Sequence, residues 1–216
     1  MAEMGLRARK KQRTRLTIST AATALFEERG FEQVTLAEVA RAAEVSVNTI
    51  FNYFGTKEDL FFDRQDEAIA APAGVVLGRA TGQSAWYALV HDSLRSDPLF
   101  TADELNRDWL RTIDESPALR ARVREIMDRR EEELASVLAA AGDGSANPAV
   151  VAALIGGAHR AIAADRQARF RANQAIRTIR TALARLTAGS YALLEPSIGT
   201  YATKAAPLDG TSASVT

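Results

Sequence analysis

Between Val34 and Phe54 the apolar positions form two short stripes separated by a polar break. Leu36, Val39, Ala40 and Ala43 recur at three- and four-residue intervals, and Val47, Ile50, Phe51 and Phe54 do so again after Ser46, the spacing of one buried face on each of two helices. Thr35 with Glu38 three residues later has the form of a capping box, in which the hydroxyl accepts from a first-turn N–H and the carboxylate from the N-cap N–H. Ser46 caps the second helix without a Glu or Gln to complete a box. Leu36, Val39, Ile50, Phe51 and Phe54 are expected to hold the pair together, leaving Asn48, Thr49, Asn52 and Tyr53 on the other faces. Amides and hydroxyls so placed can match the donor and acceptor edges of bases in the major groove. Two amphipathic helices at a turn also occur in all-α proteins that never meet nucleic acid.

The flanks add two further elements. Upstream, a helix of about five turns is expected from about Arg9 to Arg29, with apolar positions Leu16, Ala21, Ala22, Leu25 and Phe26 and Gly30 as its stop. Phe31 should pack beneath the two short helices. Downstream, Gly55 ends one helix and Thr56 caps the next, with Glu58 and Asp59 in its first turn, suited to the positive end of the helix dipole. Lys57 at that terminus is unfavourable for the helix alone but suits a phosphate beside it.

The rest of the chain also reads as helices. Pro72 and Gly74 interrupt the pattern after Asp63, Gly78 and Gly82 bracket a loop, and this region serves either as an irregular connector or as a hinge. A helix is expected over 83–96, with a break at Asp97-Pro98. Thr101 with Glu104 opens another through Leu105, Trp109, Leu110 and Ile113, and Ser116-Pro117 starts a long one that reaches Gly142. Asn147 and Pro148 cap and open a helix over 149–170, followed by one over 172–194. Both carry small residues and apolar stripes fit either for a four-helix bundle with a second copy or for internal core. After Pro196 the Ser, Thr, Ala and Gly content implies a disordered tail.

Composition narrows the function without naming it. The 216 residues are 47% hydrophobic and 25% charged, ordinary for a globular protein, and 27 basic residues balance 27 acidic ones. Attraction to polyanions must therefore be local. Arg7, Arg9, Lys10, Lys11, Arg13 and Arg15 cluster without an acid among them, either as a phosphate-contacting arm or as a solvated, frayed end. Cysteine is absent and no apolar run approaches the roughly twenty residues that span a bilayer, so a cytoplasmic, non-membrane protein is expected. His91 and His159 are the two histidines, and neither begins a metal-binding pattern. With no complete catalytic constellation, no enzyme, metal or cofactor is expected.

Gly30-Phe31, Thr35-Leu36-Ala37-Glu38-Val39-Ala40, Val45 to Phe54 and Thr56-Lys57-Glu58-Asp59-Leu60 together resemble the DNA-binding domain of the TetR family of transcriptional regulators. The resemblance covers roughly residues 10 to 65. It implies an all-α homodimer that binds a palindromic operator in double-stranded DNA and is released by a small-molecule effector. It further implies phosphate contacts by Tyr53 and Lys57, and backbone or base contacts by Thr35, Ser46, Val47, Asn48, Thr49 and Asn52. Many members carry Gly or an aromatic residue where this chain has Asn48 and Asn52, so base preference does not transfer.

The expected organisation is a helix-turn-helix head over residues 1–65, a helical effector-binding and dimerisation body over 66–195, and a tail over 196–216. The helices near 149–170 and 172–194 would form the dimer contact, as the resemblance implies. Trp86, Phe100, Trp109 and Phe170 are candidates to line an effector cavity between body helices, with His91 or His159 to orient a polar ligand. Each can equally be a core or surface residue. The alternatives to a repressor are a non-specific DNA binder and a helical ligand-binding protein or enzyme that keeps the head only structurally.

Overall fold

In the computed structural model, which describes residues 5–93, 104–142 and 146–201 and the side chains of all of these except 91–93 and 104–106, every regular element is an α-helix. In chain order these are α1 (Leu6–Arg29), α2 (Leu36–Ala42), α3 (Val47–Tyr53), α4 (Lys57–Phe61), α5 (Gln65–Gly78), α6 (Ala85–Ser93), α7 (Glu104–Glu115), α8 (Pro117–Ala141), α9 (Pro148–Arg171) and α10 (Ile176–Ile198). None of the helices is long and apolar enough to cross a membrane among the described residues. Packing divides the chain into two compact units, one drawn from Met1–Ala68 and Leu105–Ile126, the other from Ile69–Glu104 and Met127–Thr216. The stretch Leu105–Ile126, assigned to the body by sequence, thus packs with the N-terminal helices.

In the first unit α1 packs on α2 and α4, and α2 packs on α3. The buried face of α1 is Ile18, Ser19, Ala22 and Phe26, at helical spacing, while Leu16 is 65% exposed. The helix starts at Leu6, so the basic cluster lies on its first turns and is not a separate arm. Gly30 (φ 82°) ends α1 with its N–H donated to the Phe26 carbonyl, a left-handed position that glycine occupies without strain. Phe31, Val34, Val39, Ile50, Phe54 and Leu60 fill the core beneath. Phe61 packs on Phe26 and Phe31 at ring distances of 6.0 and 5.6 Å, and Trp109 of α7 stacks on Phe61 at 5.9 Å.

Phe51 departs from the expected buried stripe. It is 51% exposed, although its neighbour Ile50 is fully buried. Three helices around a small core cover only a narrow arc of α3, and each residue turns about 100° from the last. The Ile50 and Phe54 side fills that arc, which carries Phe51 outward.

In the second unit α9 and α10 pack on each other and α6 packs on α10. Val76, Trp86, Leu89, Leu134, Leu138, Ile155, Tyr191 and Tyr201 share one core. The break expected at Pro72 does not interrupt the helix. α5 continues through Pro72 and Gly74, since Ile69, Pro72, Ala73 and Val76 are all buried and their packing offsets the lost backbone bond. Likewise α10 passes through Pro196, and Ile198 and Tyr201 are 4% and 3% exposed. The apolar pair anchors a segment that composition assigned to the tail. The loop between Gly78 and Ala85, the Ser116 cap whose Oγ accepts from Leu119 N at 3.2 Å, and the Asn147 cap before Pro148 are as expected. The expected break at Asp97-Pro98 and the Thr101 cap lie outside the described residues.

Candidate nucleic-acid interface

α2 and α3 are fixed at both ends by their own sequence. Thr35 Oγ1 accepts from Glu38 N and the Glu38 carboxylate accepts from Thr35 N at 2.8 Å, completing the box. That N–H hydrogen bond, with help from Arg29 at 2.7 Å, holds the Glu38 carboxyl down to about 2 from an ordinary 4.5. At the corner, Val45 N donates to Ala40 O (2.9 Å) and Glu44 N to Arg41 O (3.2 Å), with Glu44 in the left-handed region at φ 55°. This is a Schellman closure, and it turns the chain sharply into α3. Ser46 Oγ then accepts from Thr49 N at 3.0 Å and contacts Thr49 Oγ1 at 2.8 Å.

On α3 the side chains of Asn48, Phe51 and Asn52 are exposed, those of Val47, Thr49 and Tyr53 half-buried, and that of Ile50 buried. Phe51, Asn48 and Asn52 fall on one outward arc at about 100° per residue. Thr35 and Ser46 are exposed but engaged as caps. Lys57 turns inward: Nζ donates to Val34 O at 2.9 Å and lies 4.2 Å from the centre of the Phe31 ring. It ties α4 to the segment before α2.

Two arginines brace these short helices, Arg15 at α3 and Arg122 at α4. Arg15 donates to the carbonyls of Tyr53 (3.0 Å) and Asp63 (2.7 Å) and covers the Phe54 ring at 4.4 Å. It thereby closes the C-terminus of α3, where a cation also suits the helix dipole. Arg122 of α8 pairs with Asp59, whose carboxylate also accepts from Thr56 N (3.0 Å) and Gln65 Nε2 (2.8 Å). Burial opposes ionisation of Asp59, but Gln65, the Arg122 charge and Thr56 together hold its carboxyl below the ordinary value. Contacts between residues 38 or more positions apart leave no short-range pattern. In the sequence Arg15 is one of six clustered basic residues, and nothing there sets it apart from the other five.

The effector candidates divide between the units. Trp86 is buried in the second unit, its ring 5.1 Å from that of Tyr191, whose hydroxyl lies 3.0 Å from His159 Nε2. Phe170 is buried near the end of α9. Trp109 lies instead in the first unit against Phe61 and Phe62. Phe100 and the His91 side chain lie outside the described residues. A cavity of about 10 Å³, lined by Pro72, Met127, Arg130, Leu134, Ala152 and His159, sits in the second unit beside the Glu131–Arg160 ion pair. Gly156 makes room for that pair, since a Cβ there would stand 2.3 Å from Glu131 Oε2. No group of three or more His, Cys, Asp or Glu among the described residues could hold a metal ion.

Residues 18–63 match the family model described as bacterial regulatory proteins, tetR family. The chain is 31% identical over 146 residues to the HTH-type transcriptional regulator TcmR of Streptomyces glaucescens, covering 63% of each protein and so less than two thirds of TcmR. Its fold is similar to that of NalD, the secondary repressor of the MexAB-OprM multidrug efflux pump in Pseudomonas aeruginosa (TM-score 0.52, 18% identity, 88% of this chain and 98% of that one). It is similar too to SmeT in its complex with triclosan (TM-score 0.53, 14% identity, 82% and 90%). Residues 18–63, which span α2, α3 and α4, are thus the part of the chain that matches the tetR family of bacterial regulatory proteins.

Proposed function

We propose that this protein is a transcriptional repressor that binds a two-fold related site in double-stranded DNA as a homodimer and is released by a small-molecule effector. The observation that carries the reading is α3 itself, a capped helix whose outward arc offers two exposed amides while Arg15 holds its C-terminus to the rest of the unit. Asn48 and Asn52 are suited to base edges. Thr35, Ser46, Val47, Thr49 and Tyr53 flank them, and the exposed basic residues on the first turns of α1 supply sequence-independent attraction to phosphate. Lys57 would reach phosphate by exchanging its Val34 contact, or would serve by bracing α4.

Dimerisation through α9 and α10 is supported by the apolar side chains they leave in solvent, Val150 at 56%, Leu154 at 40% and Leu193 at 82% exposure. The effector would enter the second unit near Trp86, His159 and Phe170. That the similar fold of SmeT accommodates triclosan supports such a role. A cavity of about 10 Å³ holds roughly one water, so an effector must favour a wider state, and release requires that this state bind DNA less well.

A mobility-shift titration on the DNA upstream of the protein's own coding sequence tests the reading. Tyr53→Ala should weaken binding to all duplexes alike, and Asn52→Ala should relax preference at one position in each half-site. Binding indifferent to both changes would remove α3 from the interface.

A further inference from the structure

We infer that Phe51 reads the C5-methyl group of a thymine in the bound site, a conclusion that rests on α3 lying in the major groove. The side chain is 51% exposed on a helix whose buried face is already filled by Ile50. It shares its outward arc with Asn48 and Asn52, so in a groove all three would meet neighbouring base pairs. A phenyl ring can neither donate nor accept a hydrogen bond, and the apolar group that base pairs present in the major groove is the thymine methyl. The flanking amides favour the same pairs. Asparagine is matched to adenine N6 and N7, and each such adenine brings a thymine with it. α3 (VNTIFNY) contains no Lys or Arg, so the commonest contact to guanine is not available from it. The amides and the phenyl ring of α3 are thus matched best by A·T pairs, with one thymine methyl per half-site against the Phe51 ring.

The test begins by selecting the preferred duplex from a random library with the full-length protein. Each thymine of that duplex is then replaced singly by deoxyuridine, which removes the methyl and nothing else, and dissociation constants are measured by fluorescence anisotropy for the unaltered protein and for Phe51→Ala. Removing one methyl from the contact should weaken binding about fourfold at one thymine in each half-site and should have no effect on Phe51→Ala. Because the ring is exposed, the variant should melt with the unaltered protein, and Phe51→Leu, which keeps an apolar contact, should retain part of the methyl dependence. Indifference of the unaltered protein to uridine at every thymine, or full methyl dependence in Phe51→Ala, overturns the inference. Failure to enrich any duplex overturns the DNA reading and this inference together, whereas enrichment without a methyl effect overturns this inference alone.

Discussion

Glu44 occupies a left-handed backbone position at the corner between α2 and α3, where a β-carbon costs about 1–2 kcal/mol. Glu44→Gly removes that cost but enlarges the unfolded ensemble, so chemical denaturation should show a net gain of about 0.5–1 kcal/mol. The corner hydrogen bonds remain available to glycine. Asn52→Ala, by contrast, should leave stability nearly unchanged and lower discrimination at its base pair by about 1–3 kcal/mol, measured as the ratio of dissociation constants for the selected site and its single-base variants. At this scale the caps were legible, because Thr35 with Glu38, Ser46, and Asn147 with Pro148 act through neighbours in the chain. The side of α3 on which Phe51 falls was not. A stripe of four apolar residues cannot say how wide an arc its partners will cover, and that width is set by the elements packed against it, α2 among them.

Between elements, the positions of α3 and α4 depend on charged groups held by carbonyls and a carboxylate far away in sequence. Arg15→Ala removes two charge-assisted bonds and the cover over Phe54. It should cost about 1.5–3 kcal/mol in urea unfolding, more than the loss of an exposed arginine would. Acid should loosen the same unit. Glu38 and Asp59 both have lowered pKa values in the fold, so the folded state favours their ionised forms. Their contribution is complete above the ordinary carboxyl values and is lost as pH falls, for Glu38 between about 4.5 and 2. Glu38→Gln should flatten that part of the stability profile when unfolding is followed by circular dichroism across this range. A flat profile in the unaltered protein would contradict the role given to the two carboxylates. Helix existence was legible in apolar spacing, but Arg122 on Asp59 and Trp109 on Phe61 were not, since no short-range pattern couples residues about 50 or more positions apart.

For the whole molecule, composition excluded more than it identified. It misjudged the segment after Pro196, where Ile198 and Tyr201 are buried, because a count of small and polar residues does not weigh two well-placed apolar ones. The exposed leucines of α9 and α10 make the dimer testable. Leu154→Glu with Leu193→Glu should give a monomer in sedimentation velocity while leaving the unit's buried core intact, and should weaken operator binding by losing the second half-site. The reading of α3 as the element that chooses the DNA sequence is tested most directly by selection from a random duplex library, run in parallel with the unaltered protein and with Asn48→Ala, Asn52→Ala. The unaltered protein should enrich an inverted repeat, and the double variant should lose preference at matching positions in both halves. Enrichment of the same motif by both proteins, or of none by the unaltered one, would contradict it.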